Sequence, residues 1–273
     1  MLKFYCAVVA LLCTVAAVAQ IPTVDHLVAS IQTGDSEFGG VAGPSNFAYG
    51  FEPSEGFVVG PLEPQNGFSA SGANAQWASI SNVNPGGGEQ HLRLTEDFTV
   101  ARGTTRVALS PNLGPLPDGS SSTSMLIDIS NYGGSDYDVI GQAPSLGLIT
   151  WRVKFNFDNG LGTGNILVLD DVGGGLEFVD TGVAWIAGEY RSLRVEVDSP
   201  SDAIRYFYSG ALIYSSQAGI FAGTRVEQLG WLTDNLQLET ESGDIDAVQL
   251  LIPEPASGLA MMLTLIAWRF RGR

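Results

Sequence analysis

Cysteine, histidine and lysine are scarce in this 273-residue chain. The 2 cysteines, Cys6 and Cys13, lie in an apolar N-terminal leader, and the 2 histidines are His26 and His91. A body without cysteine has no disulfide, no thiol nucleophile and no cysteine-ligated zinc. With so few histidines, we do not expect a Ser-His-Asp triad or a multi-histidine metal site.

Positive charge is also in short supply, since 13 Lys and Arg stand against 29 Asp and Glu. Without Lys3, Glu254 and the three C-terminal arginines, the body keeps nine basic and 28 acidic residues, a net charge of −19. Such a body repels phosphate backbones, and its arginines form no cluster, so we exclude nucleic acid as a partner. The acidity is typical of solubility outside the cell, with calcium binding as a narrower alternative.

Helical signals are missing as well. The body has many of the chain's 34 glycines and no long capped stretch of helical period. Apolar and polar residues instead alternate along 151–158 and 193–198, which predicts strands with one buried face. The sequence therefore predicts an all-β fold, an antiparallel two-sheet β-sandwich, and one such domain commonly takes about 200–250 residues.

Other segments complete the predicted sandwich. The run 125–129 is apolar apart from Asp128 and predicts a strand covered on both faces. The runs 204–208 and 211–214 flank Ser209-Gly210 and predict a hairpin closed by a two-residue turn, while 111–124 predicts a loop. Further strands are predicted at 91–94, 97–101, 104–109, 165–170, 176–179, 226–232 and 244–251.

The N-terminus has the order of a secretory signal peptide. Lys3 precedes an apolar run that ends in the small-residue sequence Ala17-Val18-Ala19, so we expect export and cleavage by signal peptidase after Ala19. A lipoprotein with a modified Cys13 is the alternative, but Leu12 stands where a small residue is favoured. The predicted organisation is a signal peptide at 1–19, a lead-in at 20–44, the sandwich at 45–251 and a tail at 252–273.

The tail combines an extended start, an apolar run and a basic end. Pro253-Glu254-Pro255 keeps the chain extended, 256–268 is apolar, and Arg269, Arg271 and Arg273 follow. A helix over the apolar run would be about 20 Å long, short of a hydrocarbon core of about 30 Å. We therefore predict a short hydrophobic helix that associates with the inner membrane only transiently.

These three parts in this order resemble the PEP-CTERM sorting signal of bacterial exosortase substrates. The resemblance covers the last 22 residues or so and implies that an exosortase recognises Pro253, Glu254 and Pro255. It further implies removal of the tail and transfer of the body to the cell envelope or an extracellular matrix rich in polysaccharide. Thr264 in the helix and Phe270 and Gly272 among the arginines depart from the family's pattern.

The middle of the chain resembles the concanavalin A-like/laminin G-like jelly-roll superfamily. The resemblance lies in the alternating segment 189–198 and in the aromatic hairpin 206–214 that follows it. Segments 51–57 and 65–68 look like the opening strand of such a domain. The superfamily implies two packed antiparallel sheets with a concave face that often meets glycans, and it transfers no ligand.

Catalytic signals are absent from this middle part. Jelly-roll glycosidases of the laminarinase type use Glu-x-Asp-x-x-Glu, whereas Glu196 and Asp198 here are followed by Pro200 and no second glutamate. A retaining glycosidase needs a second carboxyl about 5–5.5 Å away, so we predict no catalytic residues. We interpret the acids Glu239, Glu241, Asp244 and Asp246 as the solvated face of a strand.

Two ligand signals remain. Asp170-Asp171 before a glycine loop is a candidate calcium site, although we otherwise expect no cofactor. Of the tryptophans at 77, 151, 185 and 231, we expect Trp151 in the core and leave sugar stacking open for the others. Three functions follow: a non-enzymatic matrix protein that binds extracellular polysaccharide, a polysaccharide hydrolase or lyase, and a structural matrix component without a ligand.

Overall fold

Two antiparallel β-sheets pack against each other, as the alternating strands predict. The computed structural model describes residues 45–72, 75–116, 119–132, 134–157, 164–201, 203–216, 225–236 and 241–252. Helical structure in these ranges is confined to short 3-10 turns at Pro53–Glu55, Gln65–Gly67, Pro144–Leu146 and Ser199–Ser201. The all-β sandwich is confirmed.

The first sheet has nine strands and contains the long strand that ends the described chain. Its order is β14 (Ala211–Ser216), β13 (Ala203–Tyr208), β12 (Arg191–Asp198), β7 (Ser121–Ile129), β16 (Ser242–Leu251), β5 (His91–Thr95), β4 (Ala78–Ser81) and β2 (Gly60–Pro61). β5 pairs with the first part of β16, and β1 (Ser45–Tyr49) pairs with its last part.

The second sheet has seven strands. Its order is β11 (Leu176–Trp185), β10 (Gly164–Asp171), β9 (Leu148–Phe155), β8 (Tyr137–Ala143), β15 (Gln228–Thr233), β6 (Arg106–Leu109) and β3 (Ser69–Ala70). Consecutive strands repeatedly change sheet, so both sheets are needed to build one core.

The core lies between the sheets and takes every second residue of each strand. The inward residues include Trp151, Val153 and Phe155 of β9 and Leu193, Val195 and Val197 of β12. Burying a side chain of this size contributes about 1.5–3 kcal/mol, and a slip of one residue would turn all of them to solvent. The two clearest sequence patterns therefore set the register of both sheets.

The remaining strand predictions hold except at 97–101 and at the two segments expected to open the domain. The loop predicted at 111–124 is too long, because β7 already begins at Ser121. β7 is buried on both faces along its whole length. Ser209 and Gly210 have φ values of 50° and 77°, the left-handed pair of a type I′ turn, and Tyr206 pairs with Tyr214 across the hairpin. The predicted strand at 97–101 is wrong, because the Asp97 carboxylate accepts the N–H of Thr99 at 2.8 Å and folds the chain into a turn.

The expected opening strand at 51–57 is also wrong. The first strand ends at Tyr49, and a 3-10 turn begins at Pro53. The Glu55 carboxylate accepts the N–H groups of Gly50 at 3.1 Å and Glu52 at 3.0 Å, which stabilises the turn. Segment 65–68 likewise contains the turn Gln65–Gly67 and no strand.

Candidate functional site

The outward side of the seven-stranded sheet has two rows of side chains that run across six strands. One row is Val107, Leu232, Asp138, Lys154, Leu167 and Asp180, in direct register. The other row is Leu109, Gly230, Ile140 and Arg152, continued by Leu169 and Phe178. With about 4.8 Å between strands, the rows extend about 24 Å. We call these two rows the open face.

Two ion pairs form the polar centre of the open face. Arg152 pairs with Asp138, and the Lys154 Nζ lies 2.9 Å from Asp136 and 3.9 Å from Asp138. Asp136 also accepts the N–H of Phe157 at 2.9 Å, which fixes its carboxylate just before the start of β8. Burial raises the pKa of Asp138, although Arg152 and Lys154 act to lower it. All four charges are thus held in place.

Apolar side chains surround these charges. The Phe178 ring centroid lies 5.0 Å from the Arg152 guanidinium carbon and 4.9 Å from the Lys154 Nζ, within the range of cation–π attraction. Leu167, Leu169 and Phe178 are each half-buried. The open face is therefore a partly apolar surface with positioned polar groups.

The outward side of the nine-stranded sheet is built differently. Asp244 accepts hydrogen bonds from Arg93 Nε at 2.8 Å and Nη2 at 2.7 Å, and His91 Nε2 lies 3.4 Å away. Asp128 is the cross-strand neighbour of Asp244, and burial together with that charge raises the pKa of Asp128 to about 6. We call His91, Arg93, Asp128, Asp244 and Asp246 the covered cluster.

The glycine loop, residues 86–88, and Tyr190 lie over this cluster. The rings of Tyr190 and His91 are 6.4 Å apart, and a Cβ on Gly86 would lie 2.8 Å from the Tyr190 ring. Asp246 accepts the N–H of Gly87 at 2.8 Å. Burial, with the nearby Glu52 charge, raises the pKa of Asp246 to about 7. The loop is thus attached to the sheet through a buried carboxylate.

Glu52 holds the same loop from the other side. Both of its carboxylate oxygens accept the N–H of Glu89 at 3.0 Å. Gly88 has a φ of +63°, and a Cβ at this position would lie 1.9 Å from the Glu52 Oε1. Only glycine therefore permits this close approach between the loop and the carboxylate.

A third group of acids closes one end of the sandwich. Glu241 accepts the N–H of Ser135 on both oxygens, at 2.7 and 2.9 Å, and the Ser135 hydroxyl donates to Glu96 at 2.9 Å. Burial, reinforced by the Glu96 charge, raises the pKa of Glu241 to about 8. Both glutamates are buried, so this pair offers no surface to a polymer.

These contacts correct the prediction of a solvated acidic face. Glu241, Asp244 and Asp246 are all 3% exposed or less, because a loop or a neighbouring strand covers each of them. Glu239 lies outside the described residues. Alternation placed Asp244 and Asp246 on the outward side correctly, but it gave no information about the cover.

Glu196 lies on the outward side of the nine-stranded sheet among paired charges. It forms ion pairs with Arg194 and, at 3.5 Å, with Arg205. Its neighbour Asp198 accepts a hydrogen bond from the Ser201 hydroxyl at 2.5 Å. This arrangement is that of a surface ion-pair ladder next to Phe207, which lies 3.8 Å from the Arg194 guanidinium carbon.

The four tryptophans within the described ranges are all inward. Trp151 is in the core as predicted, and Trp77, Trp185 and Trp231 are buried with it. None of these four rings can stack on a sugar. The sequence did not single out Phe178 as an outward aromatic residue. The alternation within β11 is the signal that could have placed its ring on the outward side of the sheet.

The two aspartates of the predicted calcium site, Asp170 and Asp171, do not converge on one point. Asp170 is buried and accepts the hydroxyls of Tyr214 at 2.7 Å and Ser216 at 2.5 Å, whereas Asp171 accepts the N–H of Gly173 in the exposed loop. No group of three or more His, Cys, Asp or Glu side chains in the described ranges is arranged to hold a metal ion. Calcium binding stays a prediction.

The predicted processing residues are not part of this geometry. Ala19, Pro253, Glu254, Pro255, Arg269, Arg271 and Arg273 lie outside the described residues, as does His26. Among the residues that the structure does describe, no helix is long and apolar enough to cross a membrane.

This chain is distantly similar to several solved structures. No protein-family profile matches the chain, and no curated protein matches it. Similar solved structures include a sialidase (12% identity, TM-score 0.47, 67% of this chain and 16% of that one). The cellulose-induced protein Cip1 has 10% identity and a TM-score of 0.46, over 75% of this chain and 96% of its own.

A carbohydrate esterase from the Shiga toxin-encoding bacteriophage phi24B has 15% identity and a TM-score of 0.47, over 77% of this chain and 99% of its own. This chain thus spans a small part of the sialidase and nearly all of the other two proteins. Likenesses at this distance carry no argument about function.

Proposed function

We propose that this chain is an exported, non-enzymatic protein that binds extracellular polysaccharide through the open face. The observation that carries the proposal is the position of Phe178 beside Arg152 and Lys154, with both cations held by Asp136 and Asp138. A sugar offers apolar C–H faces and hydroxyls, and this surface offers half-buried apolar side chains around charged hydrogen-bonding groups.

Binding to polysaccharides tests the proposal. The full chain is titrated with a panel of purified glycans, together with Phe178→Ala and the matched variant Phe207→Ala. Phe207 is half-buried beside Arg194, so its loss alters an equivalent aromatic–arginine contact on the other sheet. We expect Phe178→Ala to weaken binding at least tenfold and Phe207→Ala to leave it unchanged. Equal losses in both variants would refute the assignment of the face.

A polysaccharide hydrolase or lyase is the alternative from another class, with Glu196 as its only sequence-based candidate acid. Turnover of any glycan in the panel, abolished by Glu196→Gln, would replace the proposal with this alternative. A third reading, a structural matrix component without a ligand, is favoured if the panel shows neither binding nor turnover.

The proposed destination follows from the two ends of the sequence. Signal peptidase cleaves after Ala19, and an exosortase reads Pro253, Glu254 and Pro255, with Arg269, Arg271 and Arg273 on the cytoplasmic side of the inner membrane. The body then passes to the envelope or the matrix. Mass spectrometry of the mature protein tests this, because an intact Arg273 after export from an exosortase-bearing host contradicts processing.

Binding on the open face requires no cofactor in this proposal. The polar groups that contact sugar are already fixed by protein partners, as the Asp136 contacts with Lys154 and Phe157 illustrate. We expect EDTA to change neither the glycan affinity nor the melting temperature. A rise in melting temperature with calcium that is lost in Asp171→Asn would instead support the calcium alternative.

A further inference from the structure

The cations of the open face are already neutralised. Arg152 and Lys154 are the only outward-facing basic residues on the described parts of the six strands, and each has a carboxylate within ion-pair distance. Asp138 takes part in both pairs, since Lys154 also lies 3.9 Å from it. A carboxylate or sulfate on a ligand would therefore meet cations that are occupied.

The surroundings of the ion pairs are acidic. Asp180 ends one row and accepts hydrogen bonds from the Asn165 amide and the Gly182 N–H, both at 2.8 Å. Asp171 follows Leu169 by two residues on β10, so it lies on the same side of the sheet, half-buried. The whole chain carries a net charge of −16. Any anionic polymer that approaches the open face is repelled both locally and by the charge of the whole molecule.

Neutral sugars meet no such barrier. A carboxylate that already binds one cation keeps free lone pairs, so Asp136, whose side chain is 12% exposed, can accept a hydrogen bond from a sugar hydroxyl, while the buried Asp138 holds Arg152 in place. Leu167, Leu169 and Phe178 offer apolar contact to the C–H faces of the rings. The open face therefore has the recognition groups for an uncharged polymer.

We infer that the open face selects neutral polysaccharides and rejects acidic ones, an inference that rests on the proposed function of this face. The selectivity comes from the internal pairing of Arg152 with Asp138 and of Lys154 with Asp136. Removing the charge of the two partner carboxylates should therefore reverse this selectivity.

The experiment compares neutral and acidic glycans on the full chain. The neutral probes are β-glucan, mannan and xyloglucan, the acidic probes are alginate, polygalacturonate and hyaluronan, and the readout is isothermal titration at low and high salt. We expect at least one neutral glycan to bind at least tenfold more tightly than every acidic one, with little dependence on salt because no counterions are displaced.

The variant Asp136→Asn/Asp138→Asn frees both cations and is expected to gain at least tenfold in affinity for acidic glycans, in a manner that high salt abolishes. Glu196→Gln is the matched control, because it releases arginines on the other sheet and should gain nothing. Circular dichroism confirms the fold, and the single variant Asp136→Asn replaces the double variant if the latter unfolds.

The outcomes separate the two proposals. Acidic glycans that bind the unaltered chain as tightly as neutral ones overturn the charge selectivity and leave polysaccharide binding intact. Equal gains in the double variant and in Glu196→Gln also overturn it, since the open face would then not control the charge preference. A chain that binds neither class overturns both proposals.

Discussion

The open face and the covered cluster arise from the same kind of sequence and end in different environments. β9 alternates as Arg152-Val153-Lys154 and β16 as Asp244-Ile245-Asp246, and in both strands the apolar residue enters the core. The Arg152 and Lys154 side chains are 26% and 19% exposed, whereas the Asp244 side chain is 4% exposed. Alternation decides the side of the sheet, and only the segments above it decide the access of water.

This difference separates stability from recognition. Asp244 accepts hydrogen bonds from Arg93, and Asp246 accepts one from the glycine loop. Both acids therefore stabilise the fold and are closed to ligands. Arg152 and Lys154 are paired and still reach the surface. Changes in the covered cluster should therefore act on stability, and changes on the open face should act on binding.

The largest effect is expected from Asp244→Ala. The change leaves Arg93 half-buried without its main partner, and breaking a buried ion pair in this way costs about 3–5 kcal/mol. The exposed acid Asp180 provides the control, since Asp180→Ala should cost about 0.5 kcal/mol or less. Urea unfolding measures both values. Similar losses in the two variants would mean that the cover over Asp244 has no energetic importance.

Gly88→Ala should have the next largest effect. Its Cβ would overlap the Glu52 carboxylate, which adds a packing cost of about 1–3 kcal/mol to the strain of a positive φ. Gly103 also has a positive φ, +81°, but nothing lies within 4 Å of its Cβ position. Gly103→Ala therefore reports the backbone strain alone. A melting temperature that is the same for both variants would contradict the contact between loop and carboxylate.

The covered acids should also make stability depend on pH. The folded-state pKa values of Asp246 and Glu241 are raised to about 7 and about 8, above those of the unfolded chain. Their contribution is thus complete below about pH 4 and is lost as the pH rises through the folded values. We expect the free energy of unfolding to fall by about 1–2 kcal/mol between pH 5 and pH 8.5, since local opening of the loop relieves part of the cost.

Asp246→Asn separates this mechanism from general charge repulsion. The amide keeps an acceptor for the loop and carries no charge, so the decline between pH 5 and pH 8.5 should be shallower in this variant. Gly103→Ala serves as the control and should keep the full slope. Unfolding midpoints in urea across this pH range give the comparison, and a slope that Asp246→Asn leaves unchanged would rule out this carboxylate as the source.

The smallest effect on stability is expected on the open face. Phe178→Ala removes a half-buried ring and its cation–π contacts, which contribute about 0.5–1 kcal/mol at such sites, and both ion pairs remain. Phe207→Ala should cost about the same. If Phe178→Ala alone lowered the free energy of unfolding by more than about 3 kcal/mol, this ring would be as important for stability as the residues of the covered cluster, contrary to expectation.

The sequence predicted well which segments form strands and which of their side chains face the core, because both follow from local alternation. β9, β12, the fully buried β7 and the hairpin at Ser209-Gly210 were all predictable in this way. The turn at Asp97 was missed because a side chain that bonds its own backbone competes with strand pairing. Short strands such as β2 and β3 have only two residues each, too few to show a period.

The candidate site was predictable only in part. Asp136-Tyr137-Asp138 and Arg152-Val153-Lys154 have complementary charges at the same spacing, and this signal could have paired β8 with β9. The position of Phe178 beside these charges depends on the order of three strands, which no local pattern contains. The burial of Asp246 depends on a loop more than 150 residues away in the sequence.

Mapping the bound glycan on the two sheets tests the central claim most directly. Backbone amide chemical shifts are recorded for the full chain with and without the neutral glycan that binds most tightly. We expect shifts at Arg152, Lys154 and Phe178 on the open face and none at Arg194 and Phe207 on the opposite sheet. Shifts confined to Arg194 and Phe207 would contradict binding through the open face.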